Sequence, residues 1–266
     1  MPEIGSHAVL GLLQGLTEFL PVSSSGHLIL ARDYLGLLGS GDLAVDAVLQ
    51  LATALALVVY FWRDILRICY TFLYWITGRP TEATERTLLL AIIAGTIPAI
   101  IAGLLLEDAM ETVFRSAELV AYTLIAGSLI MLAAEYLAKS GTATLTWTKG
   151  LVIGLFQCLA LIPGMSRSGM TISGGMFMGL TRPEAARFGF LLAAPILIGS
   201  GLKKLIELES SGTLSTMGAP IAAGFVASFL SGLLAVHLLL IIVRRTPLTV
   251  FVVYRLLLAA LILLLA

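Results

Sequence analysis

The chain has 266 residues, of which 59% are hydrophobic and only 12% carry a charge. A soluble domain usually carries about 25% charged residues, so this composition predicts an integral membrane protein and excludes a soluble enzyme. The net charge at neutral pH is zero, so no basic field favours nucleic acid as a partner. The two cysteines, Cys69 and Cys158, lie in apolar sequence, and we expect both to be buried.

A polar interruption breaks the apolar sequence near the start of the chain. Residues 8–20 are apolar, Pro21 and three serines follow, and apolar sequence resumes over His27–Leu38. Neither part reaches the roughly 20 residues that a membrane span requires. Irregular backbone is tolerated at membrane depth only inside protein or beside a wet cavity. The pattern therefore predicts a re-entrant hairpin of two half-helices.

The second half of the chain has the same pattern. Residues 149–162 and 169–179 predict two more half-helices, separated by a break at Pro163-Gly164. Each hairpin is followed by three apolar segments that are long enough to span a bilayer, and residues 63–86 form the longest polar linker. The predicted spans are residues 44–62, 87–106, 118–138, 184–202, 218–243 and 248–266.

The two halves align as an internal repeat. The aligned segments are Gly11–Gln14 with Gly154–Gln157, Ser23–Gly26 with Ser166–Gly169, Gly36-Leu37 with Gly179-Leu180, and Ala94-Gly95 with Ala223-Gly224. A hairpin returns to its starting side and three spans cross the membrane, so the second unit is expected to be inverted. The predicted fold is a single all-α membrane domain over residues 1–266, with inverted repeats at about 1–140 and 145–266.

Basic residues indicate the orientation, because cytoplasmic loops are enriched in Lys and Arg. The outer side is expected to hold Arg32, Arg115, Lys203, Lys204 and the acidic run 107–111. Both termini then face outward, and the two hairpin tips meet halfway through the bilayer. The residues expected on the cytoplasmic side are Arg63, Arg67, Arg79, Arg86, Lys139, Lys149, Arg182, Arg187, Arg244 and Arg245.

The first hairpin carries groups suited to acid–base chemistry. Gln14 and Glu18 lie one helical turn apart and present an amide and a carboxylate to a metal ion or a water, unless they only cap the broken backbone. Ser24 is a candidate nucleophile, with Glu18 or His27 as its base. The alternatives are that the serines cap the second half-helix, or that a metal-bound water attacks instead. His27 is a candidate for proton transfer.

The second hairpin carries groups suited to an anion. Arg167 is the only charged residue between Gly150 and Thr181, and its guanidinium is a rigid fork of donors that suits phosphate oxygens. The half-helix after it begins with a positive dipole end. The alternative is an ion pair with Glu18 that only locks the two hairpins. The candidate phosphate-binding hydroxyls are those of Ser23, Ser25, Ser166, Ser168 and Thr171.

Two long motifs resemble those of the undecaprenyl-diphosphate phosphatase family, whose members confer bacitracin resistance. They are the runs Gln14–His27 and Pro163–Thr171. The resemblance implies hydrolysis of undecaprenyl diphosphate to the monophosphate at the outer face of the bacterial cytoplasmic membrane. This reaction recycles the lipid carrier for peptidoglycan, and so supports cell-wall biogenesis and cell shape.

The same resemblance implies roles for individual residues. It assigns catalysis to Glu18, Ser24 and His27, and phosphate stabilisation to Arg167 with Ser166 and Thr171. It also implies a divalent cation, Mg²⁺ or Ca²⁺, with Glu18 as its ligand. Many members have Glu where this chain has Gln14, so the cation is either held mainly by Glu18 and the diphosphate, or Gln14 only orients the site.

A carrier of polyprenyl phosphate is the rival interpretation, because inverted repeats with broken helices are also a transporter design. A carrier needs Arg167 but has little use for Ser24 and His27. Glycine-rich helix faces at 91–103 and 222–232 allow close packing. They do not distinguish packing within one subunit from packing in a homodimer.

Overall fold

The computed structural model describes residues 3–35, 42–106, 116–138, 141, 143–210 and 218–265. These residues are helical throughout, with short connections. In chain order the helices are α1 (Glu3–Phe19), α2 (Ser24–Leu35), α3 (Asp42–Tyr60), α4 (Trp62–Ile76), α5 (Ala83–Leu105), α6 (Ala117–Leu137), α7 (Trp147–Leu159), α8 (Arg167–Phe177), α9 (Arg182–Ser210), α10 (Gly218–Arg245) and α11 (Thr249–Leu265).

The lengths and hydropathy of these helices are those of a multi-pass membrane protein. Four of the described helices, α5, α6, α9 and α10, are long and apolar enough to cross a membrane, and a fifth span is added if α3 and α4 are one broken span. Helix α11, at 17 residues, is shorter. All six segments predicted as spans are helical, with boundaries that differ by a few residues, except that α9 continues to Ser210 beyond the predicted end at Leu202.

Both predicted hairpins are broken helices in the structure. Helices α1 and α2 are separated at residues 20–23, and α7 and α8 at residues 160–166. The predicted end of the first hairpin beyond Leu35 lies outside the described residues, as do the acidic run 107–111, Arg115 and Lys139. No side chain is described for Lys204.

Two expectations were wrong, and both concern the segment after α3. The predicted linker 63–86 begins with helix α4, whose axis is bent by 83° from that of α3. Cys69 lies on α4 and is exposed, while Cys158 is partly buried. The apolar neighbours of Cys69 suggested a core position, but they form an outward face of α4 instead.

The helices pack in crossed pairs between the two halves of the chain. Helix α1 packs most extensively on α10, and α5 on α7, while α3 packs on both α9 and α10, and α6 on α11. Glycines allow the two closest crossings. A side chain at Gly11 would strike the backbone of Gly224, and one at Gly154 would strike the backbone of Gly95.

Polar contacts join several loops at one end of the bundle. Arg187 at the start of α9 donates to Asp64 at the start of α4, at 2.6 Å. Arg182 pairs with Glu135 near the end of α6. Glu135 also accepts the backbone N–H of Leu248 at 3.0 Å, just before α11. These contacts fix the starts of three helices against one another.

Candidate functional site

The two helix breaks have matching backbone strain. Ser23 and Ser166 have φ values of 74° and 71°, and they are the two non-glycine residues of the described chain with positive φ. Such a conformation costs of order 1–3 kcal/mol and persists only where the surroundings enforce it. In each break, the strained serine hydroxyl lies 3.2 Å from the hydroxyl two residues later, Ser25 in one and Ser168 in the other.

The breaks lie against each other, as the sequence predicted. A guanidinium nitrogen of Arg167, Nη1, is 3.4 Å from Glu18 Oε1. The backbone N–H of Gly164 in the second break donates to Ser25 Oγ in the first turn of α2, at 3.4 Å. The carboxylate of the first hairpin therefore faces the guanidinium of the second, although the two segments are far apart in sequence.

Glu18 holds the candidate nucleophile. Ser24 Oγ donates to Glu18 Oε2 at 2.6 Å, and Gln14 Nε2 donates to the same oxygen at 3.0 Å. Glu18 is only 7% exposed and Gln14 only 1%. The spacing of one turn on α1 and the sharp turn after Phe19 bring these three side chains together. The carboxylate is thus placed to accept a proton from the serine hydroxyl.

The two ring nitrogens of His27 contact Ser23 and Tyr254, whereas a base of Ser24 would contact the Ser24 hydroxyl. Its Nδ1 is 2.7 Å from the carbonyl oxygen of Ser23, so this nitrogen carries the proton and donates. Its Nε2 lies 2.6 Å from the hydroxyl of Tyr254, from which a neutral imidazole accepts, and the two rings are parallel. Tyr254 was not among the residues that the sequence singled out.

A cavity of about 550 Å³ opens at the meeting point of the breaks. The amino-terminal ends of α2 and α8 both reach its wall, and such ends favour anions. Its other walls come from α3, α5, α9 and the break after α7, and they are largely apolar. The polar residues that line it are Glu18, Ser23, Ser24, Ser25, Gln50, Ser166, Arg167, Ser200 and Lys203.

Four of the predicted site residues do not line the cavity but contact residues that do. Gln14 and His27 contact wall residues as described above. Ser168 is buried beside Ser166, and the Thr171 hydroxyl donates to the carbonyl of Arg167 at 2.9 Å. Gln50, Ser200 and Lys203 were missed, because single polar residues within or at the end of an apolar span give no local signal of what they face.

A buried arginine, which does not line the cavity, donates hydrogen bonds to both breaks. Arg255, on α11, is 0% exposed and donates to the carbonyl of Gly164 at 2.9 Å and to that of Pro21 at 3.4 Å. It also donates to the Ser128 hydroxyl at 3.0 Å and the Leu124 carbonyl at 3.1 Å, both on α6. A side chain at position 127 would occupy the space of this guanidinium, which requires the glycine found there.

The acidic groups fit a divalent cation only in part. Within the described residues, no cluster of three or more His, Cys, Asp or Glu side chains could form a metal cage, and Glu18 is the one carboxylate on the cavity wall. Glu18 Oε2 already accepts two hydrogen bonds, and Oε1 faces the Arg167 guanidinium at 3.4 Å, so Glu18 offers a metal little free coordination. These donors fit a cation held mainly by phosphate oxygens and water, as Mg²⁺ often is.

The fold and site together define a multi-pass membrane protein with a cavity at the meeting point of two broken helices, where Glu18 faces Arg167. Residues 7–261 match the family model described as bacitracin resistance protein BacA. The chain belongs to this family, which is the undecaprenyl-diphosphate phosphatase family.

The contacts of Arg255 lead to a prediction about stability. Arg255→Met should lower the free energy of unfolding by roughly 2 kcal/mol or more, because the two break carbonyls lose their buried donor. Thermal unfolding in detergent measures the loss, and amide hydrogen exchange should speed up at residues 20–25 and 160–167. Arg255→Lys should fall in between, because one ammonium replaces a fork of donors.

Leu257→Met is the matched control for that experiment, because Leu257 lies on the same helix and is exposed. It should leave unfolding and exchange unchanged. Wild-type exchange in both breaks of Arg255→Met would show that Arg255 does not hold them.

Proposed function

We propose that this chain hydrolyses undecaprenyl diphosphate to undecaprenyl phosphate and inorganic phosphate. The observation that carries the proposal is the contact of Ser24 with Glu18, directly opposite Arg167, on the wall of a cavity that is otherwise largely apolar. A hydroxyl with an adjacent base, facing a cation, suits phosphoryl transfer. The apolar walls suit a polyprenyl substrate.

In this proposal the diphosphate occupies the polar end of the cavity. Arg167 binds the terminal phosphate, since a guanidinium matches its oxygens in geometry and charge. The amino-terminal ends of α2 and α8 and the hydroxyl of Ser166 add donors. The isoprenoid chain follows the apolar wall of α5 and α9, where Ile100, Leu104 and Ile196 line the cavity.

The chemistry begins with proton transfer to Glu18. Ser24 Oγ loses its proton to Glu18 Oε2 and attacks the terminal phosphorus, and undecaprenyl phosphate leaves. Water then hydrolyses the phosphoserine and releases inorganic phosphate. In the alternative route, Glu18 takes the proton of a water that attacks directly. A divalent cation, for which Glu18 would be the protein ligand, would supply further neutralisation of the charge on the diphosphate.

The proposed architecture is a pair of inverted repeats. One support is the packing of α1 on α10 and of α5 on α7. If each helix is replaced by its counterpart in the other half, the first pair becomes the second. The positive φ angles of Ser23 and Ser166 fall at matching positions of the alignment. We propose the bacterial cytoplasmic membrane as the location, with the cavity open to the outer face. Arg182, Arg187, Arg244 and Arg245 then face the cytoplasm.

Phosphate release tests the proposal. Purified protein in detergent should release phosphate from undecaprenyl diphosphate, whereas a carrier has no bilayer to work across. Arg167→Ala should lower kcat/KM by roughly 10³-fold, because it removes the charge that stabilises the transition state. Its thermal unfolding should stay close to wild type. Arg167→Lys, which keeps the charge without the fork, should retain more activity.

Two results would contradict the proposal. Folded wild-type protein that releases no phosphate would favour the polyprenyl-phosphate carrier. Near-normal turnover in Arg167→Ala would remove the guanidinium from the mechanism.

Ser24 yields a prediction that separates the two chemical routes. If Ser24 is the nucleophile, rapid acid quenching during turnover of substrate labelled in the terminal phosphate should trap label on the protein. Ser24→Ala should abolish this label and nearly all turnover, while Ser25→Ala, which keeps the Ser24 hydroxyl, should lower turnover but still trap label. Turnover without trapped label in the wild type, and substantial activity in Ser24→Ala, would establish direct attack by water.

His27 yields a prediction that separates catalysis from positioning. His27→Ala should lower kcat severely, by roughly 10²-fold, if the imidazole transfers protons. Tyr254→Phe removes only the partner of Nε2, so it should shift the pH profile of kcat with a smaller loss of rate. A lower unfolding temperature of His27→Ala with unchanged kcat would instead assign the imidazole to holding the Ser23 carbonyl.

A further inference from the structure

Helix α4 runs across the end of the bundle rather than through it. The chain breaks at Phe61, and α4 leaves at 83° to α3. Helix α3 is 19 residues long and highly apolar, so it lies in the direction of a span. A helix nearly perpendicular to a span lies close to the plane of the membrane surface. This angle argues against α4 as a continuation of the span into the bilayer.

The face of α4 towards the bundle is held by polar contacts. Asp64 accepts from Arg187 of α9, and the buried Thr71 hydroxyl donates to Glu85 at the start of α5, at 3.2 Å. Ile68 lies between them along the helix and packs against the core. These residues recur at one-turn intervals, so a single stripe of α4 contacts the rest of the protein.

The rest of α4 divides into two exposed flanks. With 3.6 residues per turn, one flank is apolar and the other carries Arg63, Arg67, Tyr70 and Tyr74. The arginines and tyrosines are exposed, and Arg63 stacks over the Trp62 ring, with its guanidinium carbon 5.3 Å from the ring centroid. The apolar flank consists of Trp62, Leu66, Cys69, Leu73 and Ile76, all of them exposed.

We propose that α4 is an in-plane interfacial helix that binds anionic phospholipid. The apolar flank lies on the acyl chains, and Arg63 and Arg67 on the neighbouring flank bind the phosphate headgroups. Charge complementarity selects this occupant, because the single acid of α4, Asp64, faces the bundle, so the outer flank is uniformly positive. Arginine with tryptophan and tyrosine is the composition that favours the boundary between headgroups and acyl chains.

This binding has a consequence for the cavity. Helix α4 connects α3, which contributes Gln50 to the cavity wall, to α5, which contributes Ala99 and Leu104. Headgroups that hold α4 in the membrane plane therefore stabilise the positions of two cavity walls. Thermal stability should consequently depend on anionic lipid, whether or not the proposed phosphatase activity is correct.

The first experiment measures the depth of the two flanks. A spin label is placed on Cys69 in a Cys158→Ala background, and in a second protein at Arg67→Cys with Cys69→Ser and Cys158→Ala. In nanodiscs, we expect the label at position 69 to collide with oxygen and be shielded from a water-soluble paramagnetic reagent, while that at 67 is open to the reagent. Both labels open to the reagent would refute an interfacial helix. Both labels shielded from oxygen and reagent would indicate a second copy of the chain and refute lipid binding.

The second experiment tests the charge. The protein is reconstituted in nanodiscs of phosphatidylcholine alone and of phosphatidylcholine with phosphatidylglycerol, and the unfolding temperature is measured in each. We expect phosphatidylglycerol to raise it, and the double variant Arg63→Gln/Arg67→Gln to lose at least half of that rise. The control Arg244→Gln/Arg245→Gln removes the same charge from the end of α10. This variant should keep most of the rise in unfolding temperature. Equal losses in the two variants, or no loss in the α4 variant, would overturn the proposal.

Discussion

The structure depends on how the backbone hydrogen-bonding groups of two interrupted helices find partners inside a membrane. An unpaired backbone carbonyl in hydrocarbon costs several kcal/mol, so a helix break survives there only if protein supplies donors. Arg255 supplies them to Pro21 and Gly164, one carbonyl from each break. The Thr123 hydroxyl donates to the carbonyl of Pro163 as well. Helices α6 and α11 thus form a scaffold behind the site.

The same breaks that create this structural demand also create the site. Each break has a carbonyl side, held by Arg255, and an amide side at the start of α2 or α8, which reaches the cavity. Arg255 therefore places a positive charge beside the breaks that follow α1 and α7. On the cavity side, the amino-terminal ends of α2 and α8 favour anions. The strain at Ser23 and Ser166 persists because the hydrogen bonds of Arg255 fix the carbonyls that precede both residues.

Much of the site could be predicted because polar residues are conspicuous in apolar sequence. Glu18 and Arg167 each stand out locally, and the structure places this carboxylate and this guanidinium opposite each other. Arg255 is equally isolated in the last apolar segment, so the same signal could have found it. Its partners in the two breaks could not have been predicted, since they depend on where α11 packs. Likewise, only packing assigns Glu18 to Ser24 and Tyr254 to His27.

The sequence by itself determined the membrane class, the two interruptions and the residue types available for chemistry. These properties follow from composition and short-range pattern, because the bilayer penalises every polar group that it contains. The tertiary structure decided which groups meet, which of them line the cavity and that α4 lies across the bundle. Those outcomes rest on contacts between helices distant in sequence, such as the crossing of Gly11 with Gly224, which no local pattern specifies.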